Sequence, residues 1–223
     1  MGNRFTIHAN GGLAHQVAIA RAVKAGFDAT GETSQITHSP HTAGDIHVAI
    51  GPWFALKQWV DSDTLYIDRA YWGDPECVSI HWLKGGEKWF SANGPGRPTP
   101  TLKPHKQGVR RLYLCDYNKE PQGRYDSARR HPANGQKGDL SDDLARHDIA
   151  IGGRSTALVD AAIEGLSVIT DDRNSPVWQL HARKQTRRQW IENLAWHNWS
   201  LDEITRGNAW EHLSQQKRRR KHP

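Results

Sequence analysis

An α/β fold with a mainly parallel sheet, divided into two lobes, is what this sequence predicts, and three observations carry it. Short apolar runs alternate with stretches of helical periodicity along most of the 223 residues. The runs are bounded by Gly, Asn or Asp, as strands are. Near the middle, "NGPGRPTPTLKPHKQG" (93–108) breaks the alternation with a Gly/Pro-rich composition that favours extended chain over packing. A lobe boundary is therefore expected near 100–108.

The elements follow in order. "RFTIH" (4–8) is a strand, Gly11-Gly12 a turn, and Leu13, Val17, Ala20 and Val23 mark an amphipathic helix that should stop at Gly26. "SQITHS" (34–39) and "DIHVAIG" (45–51) are strands, "WFALKQWV" (53–60) a short helix, and "TLYID" (64–68) a strand, followed by "CVSIHWL" and "GGEKWFSA". Beyond the Gly/Pro-rich stretch, "VRRLYLCDY" (109–117) is a strand, the 120s a turn or weak helix, 147–151 a strand, Ser155 to Glu164 a helix and "LSVIT" (166–170) a strand. Residues 186–216 form two or three closing helices. The spacing of Trp190, Leu194, Trp196, Trp199, Ile204 and Trp210 assigns these side chains to the core rather than to sugar stacking. The expected organisation is an N-terminal lobe over 1–105, a second lobe over 106–185, closing helices over 186–216 and a basic tail over 217–223.

Composition narrows the function classes. No apolar run approaches the ~18 residues of a membrane span, and the N-terminus lacks a signal-peptide core, so a cytoplasmic protein is expected. Cys77 and Cys115 have no ligand-spaced neighbours and read as buried thiols, not as a zinc site or a disulfide framework. The net charge of +6 and the tail residues Lys217, Arg218, Arg219, Arg220 and Lys221 favour an anionic partner, polyphosphate or nucleic acid, although a short tail can also serve solubility alone.

The most informative stretch is "GGRSTALVDAAIEGLSVIT" (152–170). A strand ending in Gly152-Gly153, then hydroxyl residues opening a helix, leaves backbone N–H groups pointing outward with the positive helix end behind them. Gly153 lets a diphosphate approach, Arg154, Ser155 and Thr156 can hold its oxygens, and Asp160 can accept bonds from ribose hydroxyls. An ordinary strand–helix–strand unit with Ser155 as a helix cap fits the same letters.

These residues resemble the donor-nucleotide segment of GT-B-type glycosyltransferases. "ARRHP" (128–132) is similar to the basic strand end and His-Pro upstream of it in many such lobes, which adds Arg129, Arg130 and His131 as anion contacts. "LSDDLARHDIAIGG" resembles the helix and strand between them. "LYIDRAYWGDPECVSIHW" and "WIENLAWHNWSLDEITRGNAWEHL" resemble a group of small bacteriophage-encoded glycosyltransferases. The resemblance implies two Rossmann-like lobes with the nucleotide-sugar donor in the C-terminal one and the C-terminal helices packing back toward the first. A paired-Glu pattern frequent in retaining members is missing, and the chain is short for the fold, so the lobes must be trimmed.

Glycosyl transfer also needs a base for the acceptor hydroxyl. Two residues compete: His8, at the end of the first strand beside Gly11-Gly12, and Asp68, which ends "TLYID" next to Arg69, Tyr71 and Trp72 and is the better choice for its polar-aromatic surroundings. No cofactor beyond the nucleotide-sugar co-substrate is expected. The pairs Asp142-Asp143 and Asp171-Asp172 read as a helix start after Ser141 and a turn after a strand, so no metal ligands are assigned. The expected acceptor is a hydroxylated base in phage DNA, held by the tail and by "HARKQTRR" (181–188) and flipped into the cleft. A surface polysaccharide precursor is the alternative acceptor. A GT-B-like DNA-binding accessory protein without turnover and, more remotely, a nucleotide-sugar epimerase complete the alternatives.

Overall fold

The computed structural model of the chain describes residues 4–39, 45–51, 64–73, 76–84, 87–88, 90, 93–115, 123–129, 138–182 and 185–221. The fold is α/β, with eleven strands and seven helices among the described residues. The chain divides into two compact units, residues 1–91 with 196–223, and residues 92–195. The divisions thus fall at 91/92 and 195/196, where the sequence pointed to 105/106 and 185/186.

The first unit contains β1 (Arg4–His8), α1 (Ala14–Ala29), β2 (Thr33–Thr37), β3 (Ile46–Ile50), β4 (Thr64–Arg69), β5 (Val78–Lys84) and β6 (Glu87–Lys88). The expected helix at 53–60 lies outside the described residues. The sheet order is β2-β1-β3-β4-β5, with β1 to β4 parallel and β5 antiparallel to β4; β6 pairs with β5. The register puts Phe5 beside Ile46, Ile7 beside Val48, Ile50 beside Ile67 and Leu65 beside Trp82. These residues give the centre of one sheet face an apolar surface, and it packs on Val23 and Phe27 of α1.

The chain returns to this unit after residue 195 with β11 (Asn198–Trp199), which adds antiparallel to β5. Sequence periodicity assigned that stretch to helix. Two further helices follow. These are α6 (Leu201–Thr205) and α7 (Asn208–Lys221), which follow the four helices of the second unit in chain order. Ser200 and Glu203 close a capping box on α6. Trp210 of α7 stands edge-on to Phe5 and Phe27 at 4.7 and 5.2 Å, and the Trp82 indole N–H donates to the Leu213 carbonyl at 3.1 Å. Trp199, Ile204 and Trp210 are buried, as their spacing predicted, while Trp196 is half-buried.

Helix α1 runs three residues past Gly26, the stop that the sequence predicts. Gly26 is a packing glycine: a Cβ there would collide with the Ile204 carbonyl oxygen, so α1 and α6 meet backbone to backbone.

The second unit holds β7 (Arg111–Leu114), β8 (Ser127–Arg129), α2 (Leu140–Arg146), β9 (Ile149–Gly152), α3 (Ala157–Ile163), β10 (Ser167–Ile169), α4 (Trp178–Ala182) and α5 (Arg187–Ala195). Its sheet is parallel with order β8-β7-β9-β10. Written by order of appearance, that is the same 2-1-3-4 arrangement as β2-β1-β3-β4. Leu112, Leu114, Leu158, Leu166, Trp190 and Ile191 are buried.

The Gly/Pro-rich stretch belongs to this unit and is docked rather than free. Lys103 N–H donates to the Ile163 carbonyl at 2.9 Å, and Lys106 Nζ reaches the Leu144, Ala145 and His147 carbonyls at 2.6–3.1 Å, closing the end of α2. Arg187 adds bonds to the Ala162 and Ile163 carbonyls at the end of α3.

Replacing Gly26 with Ala is expected to destabilise the protein by about 1–3 kcal/mol through overpacking. In a solvent-exposed helix the same change would stabilise by about 1 kcal/mol. Urea denaturation followed by Trp emission distinguishes the two signs.

Candidate active site

In a parallel sheet of this order, the chain leaves β1 toward β2 on one side and reaches β3 on the other. The carboxyl ends of β1 and β3 then diverge and open a crevice, where open α/β sheets bind ligands. The first unit has a cavity of about 890 Å³ at this edge. Ile50 and Gly51 at the end of β3 and Ile67 and Asp68 of β4 line it. His15, Gln16 and Ile19 of α1 form one wall, and Trp72, Glu76 and Cys77 contribute on the β4–β5 side.

Asp68 lines this cavity, as expected of a candidate base. Its carboxylate is oriented from its own strand: Tyr66 Oη donates to Oδ2 at 2.9 Å and the Arg69 N–H to Oδ1 at 2.8 Å. Lys88 Nζ lies 4.0 Å from Oδ2 and 4.9 Å from the centre of the Tyr66 ring. A carboxylate fixed in this way, with a third of its side-chain surface open, can accept the proton of a ligand hydroxyl.

His8 is differently placed. It is fully buried and does not line the cavity. Its Nδ1 donates to the Ser39 carbonyl at 3.2 Å, which leaves Nε2 to accept from His47 Nδ1 at 2.9 Å. Burial holds its pKa down at about 4, with the Ser39 bond opposing and His47 assisting, so the ring is neutral at pH 7. His8 belongs to the polar face of the sheet, opposite the apolar face described above, with Thr6, His47, Thr64 and His81. There Tyr71 Oη donates to His81 Nε2 at 2.7 Å, and His81 stacks on His197 at 4.3 Å. His197 donates Nδ1–H to the Ile80 carbonyl, and burial lowers its pKa to about 4 as well.

In the second unit, Gly152-Gly153 stand at the carboxyl end of β9, the strand beside β7 where the order reverses. The following helix begins two residues later than expected, at Ala157. Thr156 already has helical backbone angles and makes no capping side-chain bond, so the capping role stays with Ser155. Ser155 Oγ still accepts the Ala157 N–H, at 3.3 Å. Arg154 is held by Asp172 at 2.6 Å, and Asp172 also turns the chain after β10 by accepting the Asn174 N–H. The half-buried Asp160 has no side-chain hydrogen-bond donor among the described residues, and burial together with Glu164 one turn on raises its pKa to about 6.

Arg129 ends β8 but is committed to Asp143 at 2.7 Å and to the Gly138 carbonyl at 2.8 Å. Arg130 and His131 lie outside the described residues, as do the side chains of Arg218 to Lys221. Helix α2 is capped by Asp139, whose Oδ1 takes the Ser141 N–H at 3.0 Å, so it starts before Ser141 rather than after it. Ser127 Oγ and His147 Nε2 meet at 2.8 Å, and His147 Nδ1 is fixed on the Asp143 carbonyl. That pair lies at the amino edge of the sheet, away from the carboxyl ends that carry ligands, and ties α2 to β8.

Sequence reasoning missed Gln16, Tyr66 and Lys88. Tyr66 was within reach, since alternation along β4 puts residues 66 and 68 on one face. Lys88 required the pairing of β5 with both β4 and β6. No protein-family model, curated protein or solved structure matches the chain.

The raised pKa of Asp160 has a definite sign. The folded chain holds its proton between the ordinary 3.8 and about 6, so this group's contribution to stability falls as pH rises through that window. Asp160→Asn is expected to stabilise the protein at pH 7 by about 1–3 kcal/mol and to change nothing below pH 4, as read from urea midpoints at the two pH values.

Proposed function

We propose that the protein is a glycosyltransferase with two Rossmann-like lobes. It moves a sugar from a nucleotide-diphosphate donor to a hydroxyl acceptor, with a hydroxylated base in DNA as the acceptor of first choice and a polysaccharide precursor as the second. The observation that carries the reading is the repetition of one parallel strand order in both units, each with candidate ligand-binding groups at the carboxyl edge. In the first unit this is the cavity with Asp68; in the second it is the Gly152–Ser155 turn followed by Asp160.

A half-buried carboxylate without donors is stabilised by a ligand that supplies two hydroxyls, as a ribose diol does. That makes Asp160 a donor-recognition group. In the reaction, Asp68 takes the proton of the acceptor hydroxyl as its oxygen bonds to the anomeric carbon. The bond from that carbon to the diphosphate breaks, and the diphosphate leaves with both electrons. Ser155, Arg154 and the backbone N–H groups around Gly153 meet the charge that develops on it. The net charge of +6 favours a polyanionic acceptor.

A thermal-shift screen against nucleotide sugars and nucleoside diphosphates tests the donor site. One nucleotide should raise Tm, and Ser155→Ala or Asp160→Asn should weaken its binding about tenfold or more. For the wild type, affinity should rise with pH through about 6, because the diol binds ionised Asp160; Asp160→Asn should flatten that profile. Asp68→Asn should lower kcat on hydroxymethylated DNA at least 100-fold while leaving donor affinity unchanged. Donor binding without turnover on any acceptor would make the protein a non-catalytic DNA-binding relative of such enzymes. The absence of any nucleotide ligand would end the glycosyltransferase reading.

A further inference from the structure

Helix α1 lines the first unit's cavity with His15, Gln16, Ala18 and Ile19, and its amino end leaves N–H donors open. Leu13, which caps the helix, has extended backbone (φ −114°, ψ 101°) and no side chain that caps it, and the first turn carries no acidic residue. The backbone N–H groups of Ala14 and His15 have no acceptor among the described residues. Gln16 supplies an independent sign of a ligand. It is only 6 % exposed, yet just one end of its amide is used: Oε1 accepts the Asn10 N–H at 2.9 Å, while Nε2 has no partner among the described residues.

The Gln16 amide lies against Gly51, the positive-φ residue (75°) that ends β3; a Cβ there would stand 2.9 Å from Nε2. Glycine at 51 thus leaves room for the amide at the edge of the cavity, which Gln16 itself lines. Asn10 Oδ1, by accepting the Gly12 N–H at 3.0 Å, holds the β1–α1 turn in shape. The β4–β5 side contributes the carboxylates of Asp68 and Glu76, Arg69 and the ring of Trp72.

We infer that this cavity binds a phosphorylated, hydroxyl-bearing ring. The phosphate lies at the amino end of α1 on the Ala14 and His15 N–H groups and Gln16 Nε2, and the ring and its hydroxyls face Trp72 and Asp68. A phosphate matches a cluster of donors backed by a positive helix end. Hydroxyls match the Asp68 carboxylate, a third of whose side-chain surface is open, and a ring suits an indole face. Calling this occupant the acceptor rests on the glycosyltransferase reading; the phosphate site itself rests on Gln16 and α1. The same chemistry is presented by a nucleotide, including one in a flipped-out DNA strand, and by a sugar phosphate.

Isothermal titration of the full chain with uridine 5′-monophosphate, glucose 1-phosphate and inorganic phosphate tests the inference. A phosphorylated ring should bind more tightly than phosphate alone, and whichever of the two wins identifies its source. Ala14→Pro deletes one donor at the first helical position, where Pro fits and where extended Leu13 tolerates it. It should weaken binding about tenfold with an unchanged Tm. Gln16→Glu keeps the bond to Asn10 but replaces the donor with a repelling carboxylate, and should abolish binding. The inference is overturned if none of the three probes binds, if phosphate alone binds as tightly as both rings, or if binding survives both substitutions. Loss with Ser155→Ala instead of Ala14→Pro would also overturn it, while leaving the donor reading of the second unit intact.

Discussion

Burying a parallel sheet on both faces, when one face is made of His, Thr and Tyr, is the constraint on which the first unit depends. An apolar face needs only volume and shape, and α1, α6 and α7 supply both. A polar face needs partners, because each buried donor or acceptor left alone costs about 1–3 kcal/mol. Neutral imidazole suits this role, since it carries one donor and one acceptor. The contacts Ser39–His8–His47 and Tyr71–His81 use that property. The lowered pKa of His8 and His197 is the electrostatic side of the same arrangement.

This layer separates the two residues that sequence alone left in competition. Both His8 and Asp68 close parallel strands, and both fall on the polar side by alternation. Asp68 is two strand residues later relative to the edge: the register pairs Ile67 with Ile50, so Asp68 stands beyond the last paired residue of β3. His8 is paired with Ala49, one residue inside that limit. An offset of this size decides whether a side chain meets ligand or its own protein.

Much of the fold was legible because alternation and Gly/Pro punctuation are local. β1, β3, β4, β7, β9 and β10 fall where the runs of apolar residues put them. The departures come from contacts distant in sequence. Gly26 resembles a helix stop until Ile204 is brought against it, and 196–200 has helical spacing until β5 offers a strand edge. Lys106 and Arg187 resemble solvated charges until carbonyls at the ends of two helices face them. In the second unit, the turn after β9 was legible as a candidate ligand loop, whereas the engagement of Arg129 and Arg154 by Asp143 and Asp172 was not.

The return of the chain to its first unit also sets the order in which the protein can be made. Residues 92–195 form a unit enclosed between two parts of the other. A ribosome that has released the first 91 residues has delivered β1 to β6 without the strand that covers the edge of β5 or the Trp210 that fills the space beside Phe5 and Phe27. Those pieces emerge last. The inserted unit can fold on the nascent chain while the earlier segment waits, and the first unit closes only after synthesis has passed Leu213.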